Sequence, residues 1–244
     1  MTEVGDVVLE CRNVCKRYGS APVLEGVTTE VRAGEVHAFV GLNGAGKTTL
    51  MRLFLGMIEP DDGIVRVRGL APSTMPARHW TGVGHLVETP LAYPELTVAQ
   101  NLRIAGRLAG LSAAGATAAA DRWIEELVLS RWARTSARKL SLGNRQRLGL
   151  AAALIADPDV LILDEPTNAL DPAGIMLLRT LLQRSRERGA ATLVSSHHLD
   201  EVARVADRIT AVNEGRVVGS LDPDGIDLER QFFDLVYRDS EARR

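Results

Sequence analysis

Cysteine is nearly absent from this sequence, and the two that occur, Cys11 and Cys15, are too few for a disulfide framework. They also lack the second pair a zinc site needs, so they would hold a metal only with ligands from elsewhere. Lysine is scarce as well: among 29 Lys and Arg, only Lys16, Lys47 and Lys139 are lysine. Against them stand 31 Asp and Glu, for a formal net charge of −2. A general nucleic-acid binder shows a basic excess, so no direct nucleic-acid binding is expected. No apolar run reaches the roughly 18 residues of a membrane-spanning helix. The opening residues Met1-Thr-Glu-Val-Gly-Asp6 are polar and acidic, unlike a signal or transit peptide. There is no internal repeat and no low-complexity linker. What remains is a chain of 244 residues, 45% hydrophobic and 25% charged, with the profile expected of a soluble cytoplasmic domain with a sizeable core.

The hydrophobic pattern reads as α/β. Val36 to Val40 is a short apolar run closed by glycine, and Thr48 to Leu55 carries a helical period. Pro60-Asp-Asp-Gly63 is a turn leading into a strand with one wet face, Ile64 to Arg68. Thr97 with Gln100 three residues on forms a capping box that opens a helix through about Ala109. Leu111 to Ala120 is rich in Ala and Gly, and Asp121 to Leu129 reads as a further helix. The stretch 91–154 is therefore expected to be a helical lobe inserted into an α/β core. Val160 to Leu163 and Ala191 to Ser195 are uninterrupted β-capable runs, as buried parallel strands require. Between them, Asp171-Pro172 supplies an N-cap and a first-turn proline for a helix reaching Glu187. Leu199 to Ala206 reads as a helix, and a hairpin about Asn213-Glu-Gly215 follows. In the polar tail from Asp222, Phe232, Phe233, Leu235 and Val236 are expected to pack as a short terminal helix.

The chemistry begins at Gly41-Leu42-Asn43-Gly44-Ala45-Gly46-Lys47-Thr48, which fits G-x-x-x-x-G-K-[ST] between a strand and a helix. Glycines let the backbone curl so that N–H groups converge on an anion, and the helix adds its positive end. Lys47 would reach the β- and γ-phosphates and Thr48 would hold Mg²⁺. A guanine-reading Asn-Lys-x-Asp is missing, since none of the three lysines has Asp two residues later. Asp164 and Glu165 end the buried strand from Val160, and alternation aims their side chains differently. Asp164 is suited to the Mg²⁺ shell and Glu165 to accepting a proton from the attacking water, a role typically worth ~10²–10⁴ in rate. A solvated acid pair at a strand end is the plain alternative.

With these residues in hand, the chain resembles the ATP-binding subunit of an ABC transporter, over nearly its whole length. Ser141-Leu142-Gly143-Asn144-Arg145-Gln146 resembles the family's Leu-Ser-Gly-Gly-Gln signature, departing at Leu142 and Asn144. Ser141 stands as N-cap before a helix read as amphipathic from Leu148, Ala152 and Ile155. The resemblance implies that Ser141 and Gly143 cap the γ-phosphate held by a partner subunit. It likewise implies that Tyr18 stacks on adenine, that Thr49 joins the phosphate loop and that Asp171 touches the opposite subunit. Without it, Tyr18 is a surface tyrosine and Asp171 a helix cap. His197, after a strand in Ser195-Ser-His197, matches the switch histidine of the family better than its neighbour His198. His37, His79 and His85 are read as structural. Where the family has glutamine between core and lobe, this chain has Glu88, similar to the bacitracin and lantibiotic self-protection exporters. Glu88 would serve coupling to the membrane partner and could ligate Mg²⁺, or it is a plain loop acid.

The expected fold is thus a P-loop NTPase (RecA-like) core with an N-terminal antiparallel β region and an inserted α-helical subdomain. A single ABC domain would span 1–244, with core 1–90 and 155–220, helical subdomain 91–154 and a short tail 221–244. The resemblance implies ATP and Mg²⁺ as ligands and a homodimer, or a heterodimer with a related ATPase. A separate integral-membrane permease would carry the substrate, with this chain peripheral on the cytoplasmic face. Rival readings are an ABC ATPase that moves no substrate and a free-standing P-loop kinase.

Overall fold

The computed structural model describes residues 5–88 and 92–242. The expected boundary between core and lobe, at 90/91, falls outside the described residues, as does the start of the polar N-terminus.

Two sheets carry the fold. In the first, β1 (Val7–Tyr18) and β2 (Ala21–Arg32) form a long hairpin. The second sheet begins with β3 (Val36–Val40), buried at every position, which feeds α1 (Lys47–Phe54). β4 (Asp62–Val67) then returns to the first sheet and pairs antiparallel with β1, giving the order β2-β1-β4. A short helix, α2 (Ala77–Trp80), precedes β5 (Val83–Leu86).

The helical stretch follows as α3 (Val98–Leu108), α4 (Ala113–Glu126) and α5 (Leu142–Leu154). The capping box at Thr97 is present in full: Thr97 accepts from the Gln100 amide, and the Gln100 side chain accepts from Thr97 N–H at 2.9 Å. Two expectations need correcting here. The Ala/Gly-rich stretch is itself helical, because α4 starts at Ala113 under a Ser112 cap that accepts from Gly115 N–H. Alanine is the strongest helix former, and its small side chains simply give no periodic contrast. The helix α5 is not amphipathic: Leu148 through Ala151, Ala153 and Leu154 are buried all round the helix, since α5 packs on both α3 and β5.

The chain re-enters the large sheet at β6 (Val160–Leu163), followed by α6 (Pro172–Glu187), β7 (Ala191–Ser196) and α7 (Leu199–Ala203). The β8–β9 hairpin (Arg208–Asn213, Arg216–Leu221) and α8 (Leu228–Ala242) complete it. The sheet order is β5-β6-β7-β3-β8-β9, parallel except for the β8–β9 pair. β3, β6 and β7 are buried at every position, without alternation, because helices or the first sheet cover both faces. At the carboxyl ends of β3, β6 and β7, three loops meet. The tail is a full helix: α8 lies against β8, β9 and α7, with Phe232 buried. Phe233, expected to pack with it, is instead half exposed on the adjoining helix face.

Candidate active site

The phosphate loop leaves β3 at Gly41, whose N–H donates to the Ser196 carbonyl at 3.4 Å. It ends at Gly46, which caps α1 with φ 96°. A Cβ at Gly46 would lie 2.8 Å from the Val23 carbonyl oxygen, so both conformation and space demand glycine. No side chain caps α1 and no acid sits in its first turn, so its leading N–H groups suit an anion. Lys47 is buried, and its Nζ donates to Gly41 O at 2.6 Å and Leu42 O at 3.3 Å. The same ammonium pairs with Glu165 Oε1 at 3.2 Å.

The acids arrive from β6. Asp164 is buried, continues the strand by donating its N–H to Leu86 O at 2.7 Å, and faces α1: Thr48 Oγ1 donates to its Oδ2 at 2.7 Å. Glu165 turns sharply off the strand with φ 47°, in the left-handed region. That turn sends its carboxylate between Lys47 and His197. His197 Nδ1 lies 2.7 Å from Glu165 Oε2, and His197 N–H donates to the same oxygen at 3.2 Å. His198 sets its ring against that of His197 at a tilt of 44°, with centroids 3.9 Å apart. P-loop, acid pair and His197 thus share one site.

The signature residues stand apart from it. Ser141 Oγ accepts from Asn144 N–H at 3.3 Å as the N-cap of α5, and Leu142 is exposed. At Gly143 a Cβ would come within 2.7 Å of the Ala169 carbonyl oxygen, so this glycine lets the start of α5 close on the loop before α6. Asp171 caps α6 by accepting from Gly174 N–H and pairs with Arg147 at 2.6 Å. The Arg147 guanidinium, aided by the Gly174 amide, holds the Asp171 carboxyl below its ordinary range. Tyr18 is 46% exposed at the tip of the β1–β2 hairpin, while β2 passes behind Gly46 at Val23 and Leu24. Glu88 lies just past β5 with φ 64°, and its carboxylate pairs with Arg52 of α1 rather than with Thr48 or Asp164.

Residues 24–168 match the family model described as ABC transporter. The chain belongs to the ABC transporter family. It is 39% identical over 215 residues to the bacitracin transport ATP-binding protein BcrA of Enterococcus faecalis, covering 87% of this chain and 68% of that protein. To the Nod factor export ATP-binding protein I of Burkholderia lata it is 39% identical, over 86% of this chain and 69% of the relative. A solved ATP-binding subunit of an ABC transporter superposes with a TM-score of 0.83 at 32% identity, covering 95% of this chain and 98% of that one. The chain carries the family's nucleotide-binding ATPase domain, and neither the kinase reading nor the non-transport reading is favoured.

Sequence reading missed several residues of this ABC domain. Arg52 follows Thr48 by one helical turn, a spacing that puts both on one face and could have flagged it beside Glu88. Arg147 is hidden inside the α5 pattern, and Gln146, read only as the end of the signature, is buried with its Nε2 donating to Pro166 O at 3.1 Å. Ser195 is wholly buried, and a hydroxyl deep in an apolar strand always calls for a partner. Beside the site, a separate apolar groove runs between α2, β5, α3 and α5, with Trp80, His85, Tyr93, Ile104, Leu108 and Ile155 on its walls. Burial lowers the pKa of His85, disfavouring its charged form.

Proposed function

We propose that this chain is the ATP-hydrolysing subunit of an exporter and works as a pair of copies joined head to tail, a homodimer or a heterodimer with a related ATPase. The observation that carries the reading is the meeting of Asp164 with Thr48 and of Glu165 with Lys47, with His197 held against Glu165. Gly41 to Thr49 would wrap the triphosphate, with Tyr18 against the adenine. Thr48 and Asp164 offer two hard oxygen donors 2.7 Å apart, which suits Mg²⁺, an ion that takes few protein ligands and keeps phosphate oxygens and waters. Bound there, Mg²⁺ would neutralise charge on the β- and γ-phosphates. Lys47 shifts from Glu165 and the loop carbonyls to the γ-phosphate, freeing the carboxylate. Glu165 then takes the proton of the attacking water, while His197 orients it from the other side. Phosphoryl transfer asks for such positioning more than for covalent chemistry.

The second half of each site comes from the partner copy. Ser141, Leu142, Gly143, Asn144 and Arg145 open α5 on the surface, where that helix start can meet the γ-phosphate bound by the opposite chain. Asp171 would sit at the contact between copies. A separate permease would dock on the groove beside Glu88 and the 91–154 lobe, holding the subunit at the cytoplasmic face of the membrane. Similarity to bacitracin transport and Nod factor export proteins supports efflux, of a peptide antibiotic or drug.

Glu165→Gln tests the assignment. Turnover is expected to fall by ~10² or more, with ATP still bound and dimers accumulating in size-exclusion chromatography. Release of phosphate at near the parental rate would overturn it.

A further inference from the structure

Glu165 holds a backbone conformation that a side chain other than glycine adopts at a cost, so something must fix it there. β6 and β7 pair in parallel through Leu163 and Val194, which sets Ser195 level with Asp164. At that level the turn at Glu165 withdraws its amide from the backbone ladder. The amide donates to Ser195 Oγ at 2.9 Å instead. The same Ser195 hydroxyl donates its proton to Asp164 Oδ1 at 2.5 Å. Ser195 is 0% exposed, so no solvent can stand in for either bond.

We infer that Ser195 is a positioning residue of the ATPase reaction, its single hydroxyl fixing the Mg²⁺-side acid and the water-side acid together. The inference rests on the roles of Asp164 and Glu165 proposed above. With Oδ1 taken by Ser195, Asp164 presents Oδ2 toward Thr48. With its amide anchored, Glu165 swings its carboxylate to Lys47 and His197. One proton donated and one accepted leave the serine no freedom to rotate, and the two acids keep a fixed relation.

The test compares Ser195→Ala with Ser195→Thr, which restores the hydroxyl on a residue that strands favour. Turnover is measured by phosphate release, and binding of a methylanthraniloyl-labelled ATP is titrated against Mg²⁺. Ser195→Ala is expected to lower kcat by about 10–100-fold and raise the Mg²⁺ needed for half-maximal binding by about 10-fold, the usual range for a residue behind a metal ligand. Binding of the labelled nucleotide without Mg²⁺ stays at the parental level. Ser195→Thr regains most of both losses. A serine that merely packs would shift the unfolding midpoint and leave the Mg²⁺ requirement untouched. Parental kcat and Mg²⁺ requirement in Ser195→Ala, or equal losses in the Ala and Thr variants, overturn the inference. Glu165→Gln, run alongside, separates the two readings. If it keeps turnover, the base assignment is at fault; if it is dead while Ser195→Ala is normal, only the role of Ser195 falls.

Discussion

Glu165, His197 and Lys47 show how one residue's placement depends on the chemistry of its neighbours. A left-handed backbone costs a non-glycine residue about 1–2 kcal/mol, and at Glu165 that cost is offset by bonds that also aim the carboxylate. His37 illustrates the opposite use of a polar side chain, as a buried structural link between strands. Its Nδ1 faces Glu30 O at 3.1 Å and its Nε2 faces Thr210 Oγ1 at 2.8 Å, a fit for the neutral ring donating to the carbonyl and accepting from the hydroxyl. Burial, reinforced by Arg208, pushes its pKa down to about 3. The folded chain therefore refuses a proton that the unfolded chain accepts below its ordinary value of 6.5. Stability is full above that pH and declines as the pH falls toward about 3. Between pH 7 and 5 this residue alone should cost roughly 2 kcal/mol. Urea unfolding of the parent and of His37→Gln checks this: the acid-side slope should flatten in the variant, and parallel slopes would contradict it. At Cys11, burial drives the thiol up to about 12, so it stays an inert hydrophobe rather than a metal-binding thiolate.

Among the elements, those announced by end signals were the most legible. The α6 helix begins at Pro172 and ends at Glu187 as its cap and proline foretell, and the β8–β9 hairpin turns at Glu214 and Gly215. The capping box of α3 gives a direct test. Thr97→Ala should lower stability by roughly 1 kcal/mol in urea unfolding, and Thr97→Ser should restore it. An unchanged midpoint in Thr97→Ala would show that packing alone holds that end. What escaped reading were elements whose character is set by tertiary neighbours. The N-terminal part of α4 carries alanines with no apolar contrast, and α5 is buried by the elements on either side of it, so its own pattern misleads. The site divides the same way. Gly41 to Thr48, Asp164 and Glu165 follow from local motifs, whereas the partnership of Ser195 with both acids, and of Arg52 with Glu88, joins residues distant along the chain.

For the whole molecule, the proposed function calls for an engine divided between two chains. The parallel sheet gathers the phosphate loop, both acids and His197 at the carboxyl ends of its interior strands β3, β6 and β7, while Ser141 caps the exposed start of α5. Mixing two disabled chains tests that division most directly. Lys47→Ala removes the phosphate grip from one copy, and Gly143→Asp blocks the start of α5 in the other. Each alone should be inactive. Combined in equal amounts, they should recover about a quarter of parental ATPase activity, because half of the randomly formed dimers are mixed and each holds one intact site. No recovery in mixed dimers whose formation is verified would contradict the account and place the signature in service of its own chain.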